Sequence, residues 1–202
     1  MDQLRRYARS LIDEPMARVV LRGTVQHPFR RRRFQSFGEK SLIHRPDWIY
    51  GPQRIAVGDR VVILHGVWLS AERSTWDQPK PAIEIHDGVL FRPYVVVSAS
   101  SSIVFEENVA VGASASFIDS HHLIEDFDHS PAWSPTEAEP IRVGWGTWIA
   151  EKATVLKGST IGRKCIIGAH AVVKGDIPDY SIAVGAPARV VGSTRPTKAK
   201  SP

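Results

Sequence analysis

A beat of six residues constrains this chain more than any other feature. Counting in sixes meets Ile43, Ile49, Ile55, Val61 and Val67, then Ile85, Phe91, Val97, Ile103, Val109 and Ala115, then Val143, Ile149, Val155, Ile161, Ile167 and Val173. All seventeen positions are apolar, in a chain whose hydrophobic share is 43%. Six is not a helical period, because turns of about 3.6 residues would scatter these side chains around a cylinder. It is a multiple of the two-residue strand period, so residues six apart on extended chain share a face. Short strands that turn a corner and resume wind into a coil, each turn stacking its inward residues on those of the next. The spacing therefore predicts an all-β fold, a parallel β-helix.

A second series supports the same geometry. Thr147, Ala153, Ser159, Cys165, Ala171 and Ile177 are also six apart and mostly compact, with turn-like polar pairs such as Lys157-Gly158 and Arg163-Lys164 just before. Small side chains fit where a backbone bends sharply inward. Cys165, the one cysteine, reads as a buried filler and not as a nucleophile, since no base or helix terminus is implied beside it. The beat is interrupted at about 70–84 and 118–142. The first interruption keeps the phase, whereas the second shifts it; both read as loops thrown outward from a rigid coil, where function tends to sit.

Composition bounds the alternatives. The 202 residues suffice for one domain with a small appendage, and no apolar run approaches the roughly eighteen residues of a membrane-spanning helix. The start, "MDQLRRYARSLIDEP", carries charge where a secretory signal needs its apolar centre. A cytoplasmic location is expected. The net charge of +5 gathers in "FRRRRF" at 29–34 and in the tail "STRPTKAKSP"; these read as solvated basic segments, with no nucleic-acid partner expected. Leu4, Tyr7, Leu11 and Ile12 have helical spacing, which predicts a short amphipathic helix capping the open end of the coil. The expected organisation is an N-terminal cap over 1–40, a β-helix over 41–191 and a flexible basic tail over 192–202.

The last third resembles something more specific. "TWIA", "IGRKCIIGAHAVV" and "DIPDYSIAVGAPARVV", within 143–191, are similar to the C-terminal coils of the hexapeptide-repeat acyltransferases, in the branch of maltose, galactoside and polysaccharide O-acetyltransferases; 85–122 matches more loosely. The resemblance implies a left-handed β-helix of three-sided coils, an exception to the usual right-handed crossover. It also implies acetyl-CoA as acyl donor, a sugar or glycan acceptor, and a homotrimer with active sites between neighbouring subunits.

The same resemblance implies a catalytic histidine at the start of the outward loop, five residues after the last apolar position of the series Phe105, Val111, Phe117. That residue is His122, with His121 as the alternative one position away. An imidazole suits the task, because its ordinary pKa near 6.5 lets it take a proton from a weakly acidic hydroxyl, typically for a gain of about 10² to 10⁴ in rate. Asp119 or Glu125 is the candidate carboxylate to fix the imidazole's tautomer; the other reading of Asp119 is a turn former that bonds backbone. His129 reads as solvated. For the donor, the resemblance places Trp148, Ala150 and Ala169 along the pantetheine arm, with Ala150 standing where relatives carry glycine, and Lys174 and Arg189 near phosphates, Gly175 standing where relatives often carry lysine. Trp48, Tyr50, Trp68, Trp76 and Trp133 offer either packing or flat faces for a sugar ring.

Two rival readings are a γ-carbonic-anhydrase-like zinc enzyme, for which His86 and His122 would be two ligands while Phe127 occupies the third place, and a non-catalytic solenoid scaffold.

Overall fold

The computed structural model describes residues 31–123, 130 and 134–195. The predicted amphipathic helix lies outside them, as do Glu125, His129 and Trp133.

Within the described residues the chain winds as three-strand turns. The first turns are built from β1 (Ser36–Phe37), β2 (Leu42–Ile43) and β3 (Trp48–Tyr50), β4 (Ile55–Val57), β5 (Val62–Ile63) and β6 (Trp68–Ala71). The middle turns use β7 (Ile83–Ile85), β8 (Leu90–Phe91), β9 (Val96–Ala99), β10 (Ile103–Phe105), β11 (Ala110–Val111) and β12 (Ser116–Ile118). An arm of β13 (Ser120–His122) and β14 (Thr136–Ala138) interrupts the winding. It resumes with β15 (Ile141–Val143), β16 (Trp148–Ile149), β17 (Thr154–Leu156), β18 (Thr160–Ile161), β19 (Ile166–Ile167) and β20 (Val172–Val173), and ends in β21 (Ser181–Val184) and β22 (Arg189–Ser193). Coil strands thus extend from Ser36 to Ser193, beyond the 41–191 that the repeat marks.

Every third strand stacks into one face. The first face runs β1-β4-β7-β10-β15-β18, the second β2-β5-β8-β11-β16-β19-β21-β22 and the third β20-β17-β12-β9-β6-β3. All neighbours on these faces are parallel except the last pair, β21 and β22, which closes the coil antiparallel. The result is the parallel β-helix that the repeat predicts, left-handed as the resemblance implies. No helix among the described residues is long and apolar enough to cross a membrane.

The turns differ in length, which the beat of six conceals. Early turns bring Trp48 opposite Trp68 and Val96 opposite Ser116, whereas late ones bring Arg142 opposite Thr160 and Thr154 opposite Val172. An early turn therefore takes 20 residues (68 minus 48) and a late one 18 (172 minus 154). The two extra residues enter at the corner between the third and first faces. Ile85, Phe91 and Val97 consequently continue into Phe105, Val111 and Phe117, while Ile103 stacks on Ile83. The counted series steps from one inward column to the other, and both columns are buried.

Three phenylalanines fill the middle of the coil. Phe91, Phe105 and Phe117, one from each face, are fully buried and meet edge to face at 4.9 and 4.8 Å between successive centroids. The compact series sits at the bends, with Thr147, Ala153, Ser159, Cys165 and Ala171 all buried. One glycine shows how closely the turns approach: a Cβ on Gly144 would lie 2.6 Å from the carbonyl carbon of Gly162 in the next turn.

Candidate functional site

Both outward excursions leave from the corner between the third and first faces. The first, after β6, contains a short 3-10 turn at Arg73–Thr75 and rejoins the coil at β7. The second follows β12, where β13 and β14 pair antiparallel with Ser120 opposite Ala138, His121 opposite Glu137 and His122 opposite Thr136. The double histidine is therefore held on a strand of a β-arm, not on an open loop.

Asp119 ties down the root of this arm. Its side chain is fully buried, Oδ1 accepting from the Ser100 N–H at 2.7 Å and Oδ2 from the Ser101 N–H at 2.8 Å. Its own carbonyl accepts from the Glu139 N–H at 2.9 Å, so one residue grips both legs of the arm. Burial pushes its carboxyl above the usual range, against the pull of the N–H donors of Ser100, Ser101 and Ser102. Of the two roles open to Asp119 in the sequence, this geometry is that of the turn former: its carboxylate bonds backbone, and neither oxygen bonds His121 or His122.

Strand alternation separates the two histidines. Neighbouring residues on a strand point to opposite sides, and here the sides differ chemically. His121 Nε2 lies 3.5 Å from Glu137 Oε2, and Glu137 in turn accepts from Lys157 Nζ at 2.7 Å. Lys157 also reaches Glu139 at 2.5 Å from the corner after β17, so the His121 side of the arm is turned towards the coil. The Lys157 ammonium holds the Glu137 carboxyl below its usual range, and the two glutamates hold the ammonium above its own. His122, on the other side, places Nδ1 3.1 Å from the Ser134 carbonyl oxygen and is exposed. A carbonyl only accepts, so in the neutral ring Nδ1 carries the hydrogen and Nε2 keeps its lone pair. The ring is thus oriented by a backbone carbonyl, in the place where a carboxylate was expected.

The residues expected to meet the acyl donor lie elsewhere on the same chain. Trp148 is exposed on the second face, between Ala110 and Ile166. Ala150 is buried and Ala169 exposed at the corner between the second and third faces. Arg189 opens β22 at the edge of the second face, its guanidinium donating to the Ala188 carbonyl at 2.8 Å. Lys174 alone shares the corner of the histidine arm, exposed and two turns further on. The third face thus separates His122 from Trp148, Ala150 and Ala169 within one chain. His86 sits beside Glu84 and Glu107, at 3.6 and 3.5 Å, at the end of the first face, and is not brought to His122.

Ser134, Glu137 and Lys157 were not foreseen. Ser134 acts through its carbonyl, which no side-chain pattern reveals. The Glu137-x-Glu139 spacing, two acids on one side of a strand, was the available signal for the Lys157 clamp.

No family model matches the chain. Among curated proteins it is similar to "Probable acetyltransferase Rv3034c" of Mycobacterium tuberculosis, 43% identical over 120 residues, covering 55% of this chain and 40% of that protein. It is also similar to "Putative lipopolysaccharide biosynthesis O-acetyl transferase WbbJ" of Escherichia coli, 29% identical over 114 residues, covering 52% of this chain and 57% of that one. The matches therefore span about half the length of these relatives. Among solved structures, a hexapeptide-repeat-containing acetyltransferase from Vibrio cholerae shares the fold at a TM-score of 0.58 and 22% identity, over 89% of each chain. AntD, an N-acyltransferase from Bacillus cereus solved with dTDP and 3-hydroxybutyryl-CoA, does so at a TM-score of 0.71 and 17% identity, over 84% of this chain and 88% of its own.

Proposed function

We propose that this chain is a hexapeptide-repeat acetyltransferase, a reading supported by its likeness to the curated acetyltransferases and by the shared fold, and that it transfers an acetyl group from acetyl-CoA to a hydroxyl of a sugar or glycan. His122 carries the proposal: its Nδ1 is engaged by the Ser134 carbonyl, which leaves Nε2 as a proton acceptor on an exposed arm. In the reaction the acceptor hydroxyl gives its proton to Nε2 as its oxygen attacks the thioester carbonyl. The tetrahedral intermediate collapses, the carbon–sulfur bond breaks, and the imidazolium returns the proton to the departing CoA thiolate. The Ser134 carbonyl steadies the transient imidazolium and Lys157 holds the arm through Glu137 and Glu139. Direct transfer fits the lone cysteine, since Cys165 is buried, donates to the Pro178 carbonyl at 3.1 Å, and has its thiol pushed up in pKa by burial.

The separation of the base from Trp148, Ala150 and Ala169 supports a site completed by a second copy. In a homotrimer the second-to-third-face corner of one protomer meets the histidine arm of its neighbour, with Lys174 and Arg189 available to phosphate. A hydroxyl acceptor is favoured by the likeness to the lipopolysaccharide O-acetyl transferase; AntD, solved as an N-acyltransferase, represents the amino-sugar alternative. The test is release of free CoA thiol in the presence of acetyl-CoA and a panel of sugars and amino sugars. A product acetyl group labile to hydroxylamine is an ester and supports the proposal. A stable amide product replaces it with N-transfer, and failure of acetyl-CoA to bind removes the transferase reading.

A further inference from the structure

The two outward excursions flank a notch on the corner between the third and first faces. The first leaves after β6 and the arm leaves after β12, while the turn between them crosses this corner in three residues, Ser100, Ser101 and Ser102. Because β6 pairs with β9 and β9 with β12, the excursions start two strand spacings apart, about 10 Å at the usual separation of neighbouring strands. The floor of the notch is therefore three partly exposed serines, with the Arg73–Thr75 turn on one side and the arm on the other. The arm turns the side of its base to this notch. Lys157, which holds Glu137 and Glu139 on the His121 side, belongs to the following turn of the coil. Ser120 and His122 alternate to the other side, and there the Ser120 hydroxyl meets the Ser100 hydroxyl, on the preceding turn, at 3.1 Å.

Ser100 is fixed at each of its polar groups. Its N–H donates to Asp119 Oδ1 at 2.7 Å, its carbonyl accepts from the Ser74 hydroxyl at 3.0 Å, and its own hydroxyl joins that of Ser120. Two hydroxyls joined by one bond keep one hydrogen and several lone pairs unspent, and nothing else among the described residues takes them. Asp119 and Lys157 already tie the arm to the coil, so the pair is not needed as a further strut. A sugar hydroxyl both donates and accepts, which is the pattern that closes the pair. An anionic group finds less, because Asp119 occupies the Ser100 and Ser101 N–H groups and Lys157 stands on the far side of the arm. Ser120 and His122 are two residues apart on one strand, about 6.5 Å between their Cα atoms. One sugar ring spans that gap, with one hydroxyl at the imidazole and another at the serine pair.

We propose that this notch is the acceptor-sugar subsite and that the Ser100–Ser120 hydroxyl pair recognises a hydroxyl neighbouring the one that is acetylated. The proposal rests on the reading that His122 is the base and the acceptor a sugar, and it adds one specificity to that reading: a sugar lacking the neighbouring hydroxyl is a poor acceptor. The recognised hydroxyl fills the open donor and acceptor of the pair, which turns the ring so that the reacting hydroxyl points at His122 Nε2.

The test measures CoA thiol release and, separately, sugar binding by ligand-observed NMR with CoA present. Full-length wild type is compared with Ser120→Ala, Ser100→Ala and Ser120→Thr, which keeps the hydroxyl; thermal melting establishes folding. Each protein is given the preferred acceptor of the sugar panel and its deoxy analogues, lacking one hydroxyl at a time. The proposal expects Ser120→Ala and Ser100→Ala to raise the acceptor KM about tenfold, as loss of one hydrogen bond does, with the acetyl-CoA KM unchanged and Ser120→Thr near wild type. One deoxy analogue should lose the same factor with wild type and nothing further with Ser120→Ala, a coupling that a merely structural serine does not produce. The proposal is overturned if Ser120→Ala keeps the wild-type acceptor KM, or if its loss adds in full to that of every deoxy analogue; acetyl transfer seen in the same experiment leaves the transferase reading standing. Sugar binding that shows the coupling without any acetyl transfer upholds the subsite and sinks the transferase reading. Wild type that neither binds nor acetylates any sugar of the panel overturns both.

Discussion

Replacing Asp119 by alanine separates a structural role from a catalytic one at the root of the arm. The change leaves the part-buried Ser100 and Ser101 N–H groups without their acceptors. An orphaned buried donor costs about 1–3 kcal/mol. Two such losses, offset by relief of the desolvation that raises the Asp119 pKa, leave a net destabilisation of about 2–4 kcal/mol. For a domain of this size that lowers the melting temperature by about 4–16 °C. Asp119→Asn keeps one acceptor oxygen and should lose about half as much. The assay is thermal unfolding of both variants beside their rate of CoA thiol release at a temperature where each remains folded. The account predicts a large fall in Tm with a comparatively modest change in rate, the latter through loosening of the arm. An unchanged Tm with a rate loss beyond about 10² would refute it and make Asp119 part of the catalytic machinery.

Three further outcomes follow from particular contacts. Lys157→Met should free the arm from the coil, speeding hydrogen exchange at Ser120–Leu123 and slowing transfer by about 10 to 10²-fold with acetyl-CoA affinity unchanged, while Lys157→Arg restores both. His44, buried with Nδ1 unpartnered, has its pKa depressed by burial, then by Arg45 and His65. The unfolded chain therefore takes up a proton near the ordinary value of 6.5 that the folded chain resists, so stability should fall as pH drops below that value, and urea midpoints at mildly alkaline and mildly acidic pH should converge in His44→Leu. Cys165 should resist thiol reagents in the native protein and react only on unfolding, because its sulfur is buried and its thiol pKa raised; native-state labelling would contradict this.

The parts of this fold legible in the sequence are those set by side-chain alternation. A β-helix buries every second residue of each strand, so its inward columns stand out as apolar positions six apart. The same alternation hides the length of a turn. Inserting two residues at a corner keeps strand parity, so Ile103, Val109 and Ala115 continue the count although the column of Ile85 passes to Phe105. The pairing of Trp48 with Trp68 had a sequence signal in tryptophans 20 residues apart, visible only once the true length of an early turn is known. His122 was singled out by the resemblance, at the point where the beat stops. Its orienting partner was not, since Ser134 contributes a backbone carbonyl, and Thr136–Ala138 is too polar to announce itself as a strand.

The central claim is that His122, and not its neighbour, is the base. The most direct measurement compares thiol release by wild type, His122→Ala and His121→Ala with the same donor and acceptor at saturating concentrations. The account predicts a fall of about 10² or more for His122→Ala and a much smaller one for His121→Ala, whose side chain faces Glu137 and the coil. Equal rates in wild type and His122→Ala, or a collapse confined to His121→Ala, would contradict it.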